Sequence, residues 1–229
     1  MAFEYDFFSI AFSVDNVIFG FDDSDLKVLL IKRLNDPFKH EWALPGDLVS
    51  PNEDLRNAPK RVLKELTGLE NVYLEQVKTF GKVNRHPRGR VVTVAYYSLI
   101  NINQVFPKPD SFAQEVSWHK ISEIDSLAFD HMEIMRTCLK RLQTQIKSQP
   151  VGFELLPEKF TLSELQQLYE AILEQKLDKR NFRKKMISLN VLTDNQEYQQ
   201  GVAHRPAKLY AFDKLKFEEA RQEGIHFEI

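Results

Sequence analysis

Apolar residues along this chain recur at two spacings, and the change from one to the other divides it. Up to about residue 125 the dominant pattern is extended. Phe8 to Phe21 mixes β-branched and aromatic residues, an acidic turn follows from Asp22 to Asp25, and Leu26 to Arg33 resumes the apolar run, which together predict a β-hairpin. Val72–Val83 and Arg90–Asn101 predict two more strands on either side of the loop Asn84-Arg85-His86-Pro87-Arg88-Gly89, and Glu115–Trp118 a shorter one. Between them, Leu55 to Thr67 has helical spacing and stops at Gly68, a residue suited to a helix carboxyl cap. Pro59 is tolerated only in a first turn, so that helix is expected to start near Arg56, with Asp54 or Asn57 at its amino end. Phe153–Leu156 reads as a further short strand.

Beyond residue 130 the helical period takes over. Met135, Cys138, Leu139, Leu142 and Ile146 share one face and predict a helix from Asp130 to Ser148. Thr161-Leu-Ser-Glu164 has the form of a capping box, and Leu165, Leu168, Tyr169 and Ile172 give the helix it opens one apolar face. Four residues later, Lys176 to Ser188 carries six cations and one acid. Asp178 is placed to cap it, and Phe182, Met186 and Leu189 form a stripe that leaves Arg180, Arg183 and Lys184 on the other side. Asn190–Thr193 and Lys208–Phe212 then flank a polar loop with Gly201, His204 and Arg205. Helix, turn, helix and hairpin is the order of a winged helix. The expectation is an α/β chain of two domains, 1–148 including the linking helix 130–148, and 149–229.

Composition narrows the partners. At 229 residues with 43% hydrophobic and 28% charged residues, the chain is of ordinary globular make-up. Its uncharged runs fall short of the roughly 20 apolar residues of a membrane span, and its amino terminus lacks the pattern of an export signal. The lone Cys138 excludes an internal disulfide and fits a cytoplasmic protein. Net charge is -2, and after Pro150 12 Lys and Arg face 13 Asp and Glu, so any attraction to nucleic acid is local rather than global. The cationic helix is the candidate patch.

Trp42-Ala-Leu-Pro-Gly46, with Glu53, Arg61, Leu63, Glu65, Gly68 and Leu69 at their spacings, resembles the Nudix box of pyrophosphohydrolases. Three positions depart from it: Asp47 replaces a Gly, and Val62 and Leu66 replace two glutamates. In the family, the glutamates one, four and five places after the Arg share a helix face and bind divalent cations. Here Glu65 alone remains on that face. A hard cation takes about six oxygen ligands, so the resemblance implies a fold kept and hydrolysis lost. Glu53, Arg61 and Glu65 are then expected to tie loop to helix as ion pairs. No cofactor is expected, and at most weak magnesium binding.

Arg85, His86, Arg88 and Arg90 resemble the loop by which relatives handle ADP-ribose or sugars. The three arginines of that loop, Arg85, Arg88 and Arg90, with Trp42 and Tyr96, are the candidate ligand residues. FELLPEKFTLSELQQLYEAI, LDKRNFRKKM and HRPAKLYAF resemble the winged helix of the Nudix-related transcriptional regulators, the NrtR family. That resemblance implies a homodimer that binds double-stranded operator DNA and answers to an effector, ADP-ribose or a sugar such as arabinose. Arg180, Asn181, Arg183 and Lys184 are the groove candidates; Lys179, Lys185, His204, Arg205 and Lys208 are the phosphate candidates. The alternative is an active Nudix hydrolase, its missing carboxylates supplied by Glu115 or another loop; structured-RNA binding is disfavoured because no aromatic stacking platform is evident.

Overall fold

The computed structural model describes residues 9–22, 24–70, 72–109, 113–203, 205–223 and 227. The chain folds as two compact units. One holds most of the chain up to Arg141, and the other Leu142 onward with the short segment Phe21–Leu26.

The first unit is built on a sheet of seven strands. β1 (Ala11–Phe21) and β2 (Leu26–Arg33) are neighbours at its centre, as the hairpin pattern predicts. Very short β3 (Trp42–Ala43) pairs with β2, and β4 (Gly46–Leu48) with β1. Helix α1 (Ala58–Thr67) follows, then β5 (Tyr73–Phe80), β6 (Val91–Asn101) beside β1, β7 (Ala113–Lys120) against β2, and helix α2 (His131–Gln145). β1 is buried at every position from Ser13 to Phe21, the mark of a strand covered on both faces. α1 lays Ala58, Val62 and Leu66 onto Val14, Ile31, Ala43 and Val94, while Leu63 meets Ile18, Leu29 and Ile100. Gly68 ends α1 in the left-handed conformation at φ 70°, which a residue without Cβ adopts at little cost. Two details differ from the sequence pattern. β3 and β4 form where the sequence pattern predicts no strand, and Asn57 heads α1 without a side-chain cap bond.

The second unit has the helix-turn-helix and hairpin order. β8 (Phe160–Thr161) leads into α3 (Leu162–Leu173), and the capping box forms in full: Glu164 N donates to Thr161 Oγ1 at 3.1 Å and Thr161 N to Glu164 Oε2 at 2.6 Å. α4 (Lys179–Ser188) is capped by Asp178, which accepts from Asn181 N at 2.8 Å. β9 (Leu192–Tyr198) and β10 (Lys208–Phe212) form the wing, and β10 lies between β8 and β9 in an antiparallel sheet. Phe182, Met186 and Leu189 are buried with Leu165, Leu168, Tyr169 and Ile172, as their spacing predicts. Phe153–Leu156 is not a strand. Residues Pro150–Leu155 form a 3-10 turn, begun by a proline that has no N–H for a ladder, and Phe153 stacks on Phe212 at 4.3 Å instead. A last helix, α5 (Lys214–Gln222), lies outside the expected elements; Asp213 caps it by accepting from Leu215 N and Lys216 N.

Candidate ligand cleft and nucleic-acid interface

Arg61 projects from α1 and gathers the acidic remnants around itself. Its Nε and Nη2 donate to the two oxygens of Glu53 at 2.9 and 3.1 Å, Nη1 to Asp47 at 2.8 Å and to Glu65 at 3.4 Å, and Nη2 to the Leu48 carbonyl at 3.1 Å. The hydrogen bond to Arg61 holds the Glu53 carboxyl below its ordinary range, and the same bond raises Arg61 further above its own. Val62 and Leu66, on the same helix, are buried in the core. Three carboxylates converge, and one guanidinium takes all three. Asp47 holds one corner of this fork.

A cleft of about 480 Å³ opens beside the Arg85–Arg90 loop, lined by Asp15, Arg33, Arg85, Arg88, Phe129 and His131 among others. Its floor is a buried network. Arg85, predicted as a ligand residue, is 3% exposed at its side chain and makes a two-pronged ion pair with Asp130 at 2.9 and 2.7 Å. A further bond reaches Asp15 at 3.3 Å. His131 accepts from Leu44 N through Nδ1 at 2.9 Å, which places its proton on Nε2, facing Asp15 at 3.4 Å. Burial lowers the His131 pKa more than the Asp15 charge raises it, so the ring stays neutral. Gly46 is fixed by this floor: a Cβ there would stand 2.6 Å from the Val14 carbonyl and closer still to Asp15.

The remaining candidates divide. Arg88 and Arg90 line the cleft, although Arg90 gives Nη1 to the Gly81 carbonyl at 2.6 Å. His86 also lines it and stacks on Phe129 at 5.1 Å. Trp42 lies outside the lining, edge-on to His119 and under Lys32. Tyr96 is in the core and donates its hydroxyl to Gln76. Glu115 sits on β7, 3.9 Å from Lys32, away from the Arg61 cluster's bonds. Sequence reasoning passed over Arg33, Asp36, Phe129 and His131, which line the cleft. Arg33 and His131 carried a weak signal, each standing at the end or start of a strongly periodic run.

In the second unit, Lys179, Arg180, Asn181, Lys184 and Lys185 are exposed on α4, opposite its buried stripe. Arg183 departs from that arrangement: it is half-buried and donates to Ser163 Oγ at 2.9 Å, which fastens α4 to the start of α3. Arg205 is exposed in the wing, whereas Lys208 is ion-paired with Asp194, which raises its pKa. His204 lies outside the described residues.

Two family matches cover the two units: the NUDIX domain at residues 11–142 and the NrtR DNA-binding winged helix domain at residues 152–212. The chain is 37% identical over 211 residues to the ADPR responsive transcriptional repressor NtrR of Acinetobacter baylyi, spanning 90% of this chain and 84% of that protein. It belongs to the NrtR family. NrtR of Shewanella oneidensis, solved with a 27mer DNA, is 30% identical and superposes with a TM-score of 0.77 over 90% of this chain and 95% of that one. The NUDIX domain of the same Shewanella NrtR, solved with ADP ribose, is 34% identical with a TM-score of 0.54, covering 58% of this chain and 89% of that one. The NrtR order of sensor fold and winged helix is thus the order found here.

Proposed function

We propose that this chain is a transcriptional repressor that binds operator DNA through α4 and the wing and is controlled by ADP-ribose held in the cleft of the Nudix unit. The observation that carries the reading is a division of labour among charged groups. The acidic cluster of the Nudix box is consumed by Arg61, while arginines line the neighbouring cleft and an exposed cationic face, without an ion pair among the described residues, stands on α4. Anion-seeking groups are left available at both sites, and among the described residues no cluster of metal-ligating side chains stands at either. Exposed Arg180 and Asn181 have the donors and acceptors that read base edges; Lys179, Lys184, Lys185 and Arg205 suit phosphates. Of the effectors expected from the sequence, ADP-ribose is favoured over arabinose, because related proteins respond to it or have been solved with it.

A divalent cation does not fit the remnant box. Its two missing ligand positions are alkyl groups in the core, and recruiting Glu53 or Glu65 would strip the ion pairs from Arg61. Hydrolysis is accordingly assigned no step. Magnesium-dependent release of AMP from ADP-ribose at the enzyme median of about 10 per second would restore the hydrolase reading.

The regulatory reading is tested by titrating the chain against upstream DNA of its own gene neighbourhood, with and without ADP-ribose. Binding that weakens with salt and is relieved by ADP-ribose is expected. Absence of binding at every promoter tried and every ligand condition would remove the proposal. We place the protein in the cytoplasm as a homodimer, each protomer meeting one half-site, and light scattering checks the dimer.

A further inference from the structure

Four arginines line the cleft, and their hydrogen-bond donors are not equally free. Arg85 is spent. It is buried, with Nε and Nη2 bonded to Asp130 and Nη2 also reaching Asp15. Arg90 has one terminal nitrogen committed to a backbone carbonyl. Arg33, at the end of β2, is anchored from behind: Nε donates to the Pro37 carbonyl at 2.8 Å, Nη2 points weakly at the Asn35 carbonyl at 3.4 Å, and Cζ lies over the Phe129 ring, 4.8 Å from its centroid. Its Nη1 makes none of these bonds. The Arg88 guanidinium makes no hydrogen bond or ion pair among the described residues.

Arg33 and Arg88 also act on each other. Burial and then the Arg88 charge hold the Arg33 pKa below its ordinary value, against the pull of Asp15 and Asp36. Two guanidinium groups near one another in a concave wall repel until an anion stands between them. Of the two nearby carboxylates, Asp15 is already shared by Arg85 and His131. An aromatic ring behind a guanidinium fixes its plane, and a fixed planar fork matches phosphoryl oxygens better than a free one does.

We infer that Arg33, fixed on Phe129 and the Pro37 carbonyl, forms with Arg88 the cradle for the diphosphate of the effector, and that Arg85 supports this cradle from below without touching the ligand. The inference rests on ADP-ribose as effector and names which part of it this wall takes.

Calorimetry on the full chain, with ADP-ribose, inorganic pyrophosphate and adenosine as separate ligands, tests it. Arg33→Met is expected to weaken ADP-ribose and pyrophosphate by tenfold or more, to leave adenosine within twofold, and to melt like wild type. ADP-ribose binding within twofold of wild type overturns the inference, as does an equal loss for adenosine, which would mark a change of shape rather than a lost phosphate contact. If Arg33→Met melts lower, Arg33→Lys decides, because it keeps the charge and loses the fork. Pyrophosphate binding at least threefold weaker than wild type supports the cradle, and equality overturns it. Wild type that takes pyrophosphate but not ADP-ribose would sink the effector reading and keep the cradle. Wild type that takes neither sinks both.

Discussion

Single residues in this protein carry opposite assignments that look alike in the sequence. Arg85 and Arg88 stand three apart in one loop, yet one is 3% exposed at its side chain and doubly paired while the other is exposed and without an ion pair among the described residues. Removing one member of a buried ionic group leaves the others uncompensated, at a cost of about 3–5 kcal/mol. Arg85→Met is therefore expected to lower unfolding free energy by that order in urea denaturation, with Asp15 and Asp130 stranded. His131 adds a pH dependence to the same floor. Its folded pKa is depressed, so the unfolded chain binds the extra proton, and stability falls as pH drops below the ordinary imidazole value of about 6.5. His131→Gln keeps an acceptor for Leu44 N and a donor for Asp15 and is expected to flatten that part of the stability–pH curve; an unchanged curve would relocate the effect. Burial pushes the Cys138 thiol up to about 12, so iodoacetamide is expected to leave it unmodified until denaturant is added.

At the scale of elements, the cationic helix depends on what holds it in place. Glu170 on α3 accepts from Lys176 Nζ at 2.8 Å, Leu177 N at 3.0 Å and Gln166 at 2.9 Å, which closes the turn into α4. The Lys176 bond first, and then the Leu177 amide, lower the Glu170 pKa to about 2. A depressed carboxyl stabilises the fold above its unfolded pKa and loses that contribution as pH falls towards the folded value, so the turn is expected to loosen only in acid below about pH 4.5. Glu170→Gln is expected to lower the melting temperature at pH 7 and to weaken DNA binding without removing any cation. Thr161→Ala opens the capping box at the other end of α3, at about 1 kcal/mol by denaturation. Arg183→Ala acts at this scale too. Because Arg183 reaches Ser163, its substitution is expected to lower the melting temperature as well as operator affinity, whereas Arg180→Ala lowers affinity alone.

For the whole molecule, two units with different chemistry share one chain, and α2 runs from the first into residues of the second. We propose residues 1–148 as the self-contained sensor, since that piece keeps α2 entire; expressed alone it is expected to fold by circular dichroism and to bind ADP-ribose while failing to retard DNA. Coupling follows from the two-site reading: a ligand that binds one DNA-binding state less well must itself be bound less tightly when DNA is present, by the same factor. Calorimetry of ADP-ribose with operator added is expected to show that reciprocal loss, and equal affinities would separate the two sites.

Much of this was written locally. The hairpin, the Gly68 stop, the capping box and the buried stripe of Phe182, Met186 and Leu189 follow from spacing and cap chemistry within one element, and the structure keeps them. The Arg61 cluster was legible for a similar reason, since Glu53, Arg61 and Glu65 sit within two turns and a loop. What the sequence left undecided was the fate of each long polar side chain. Arg85 meets Asp15 and Asp130 from far along the chain, Arg33 meets Phe129, and Trp42 and Tyr96 go to packing. No local period encodes those partners. A guanidinium can find a carboxylate, a ring or solvent with little change in backbone preference, so only the assembled sheet and its loops decide which arginine is support and which is free to hold a ligand.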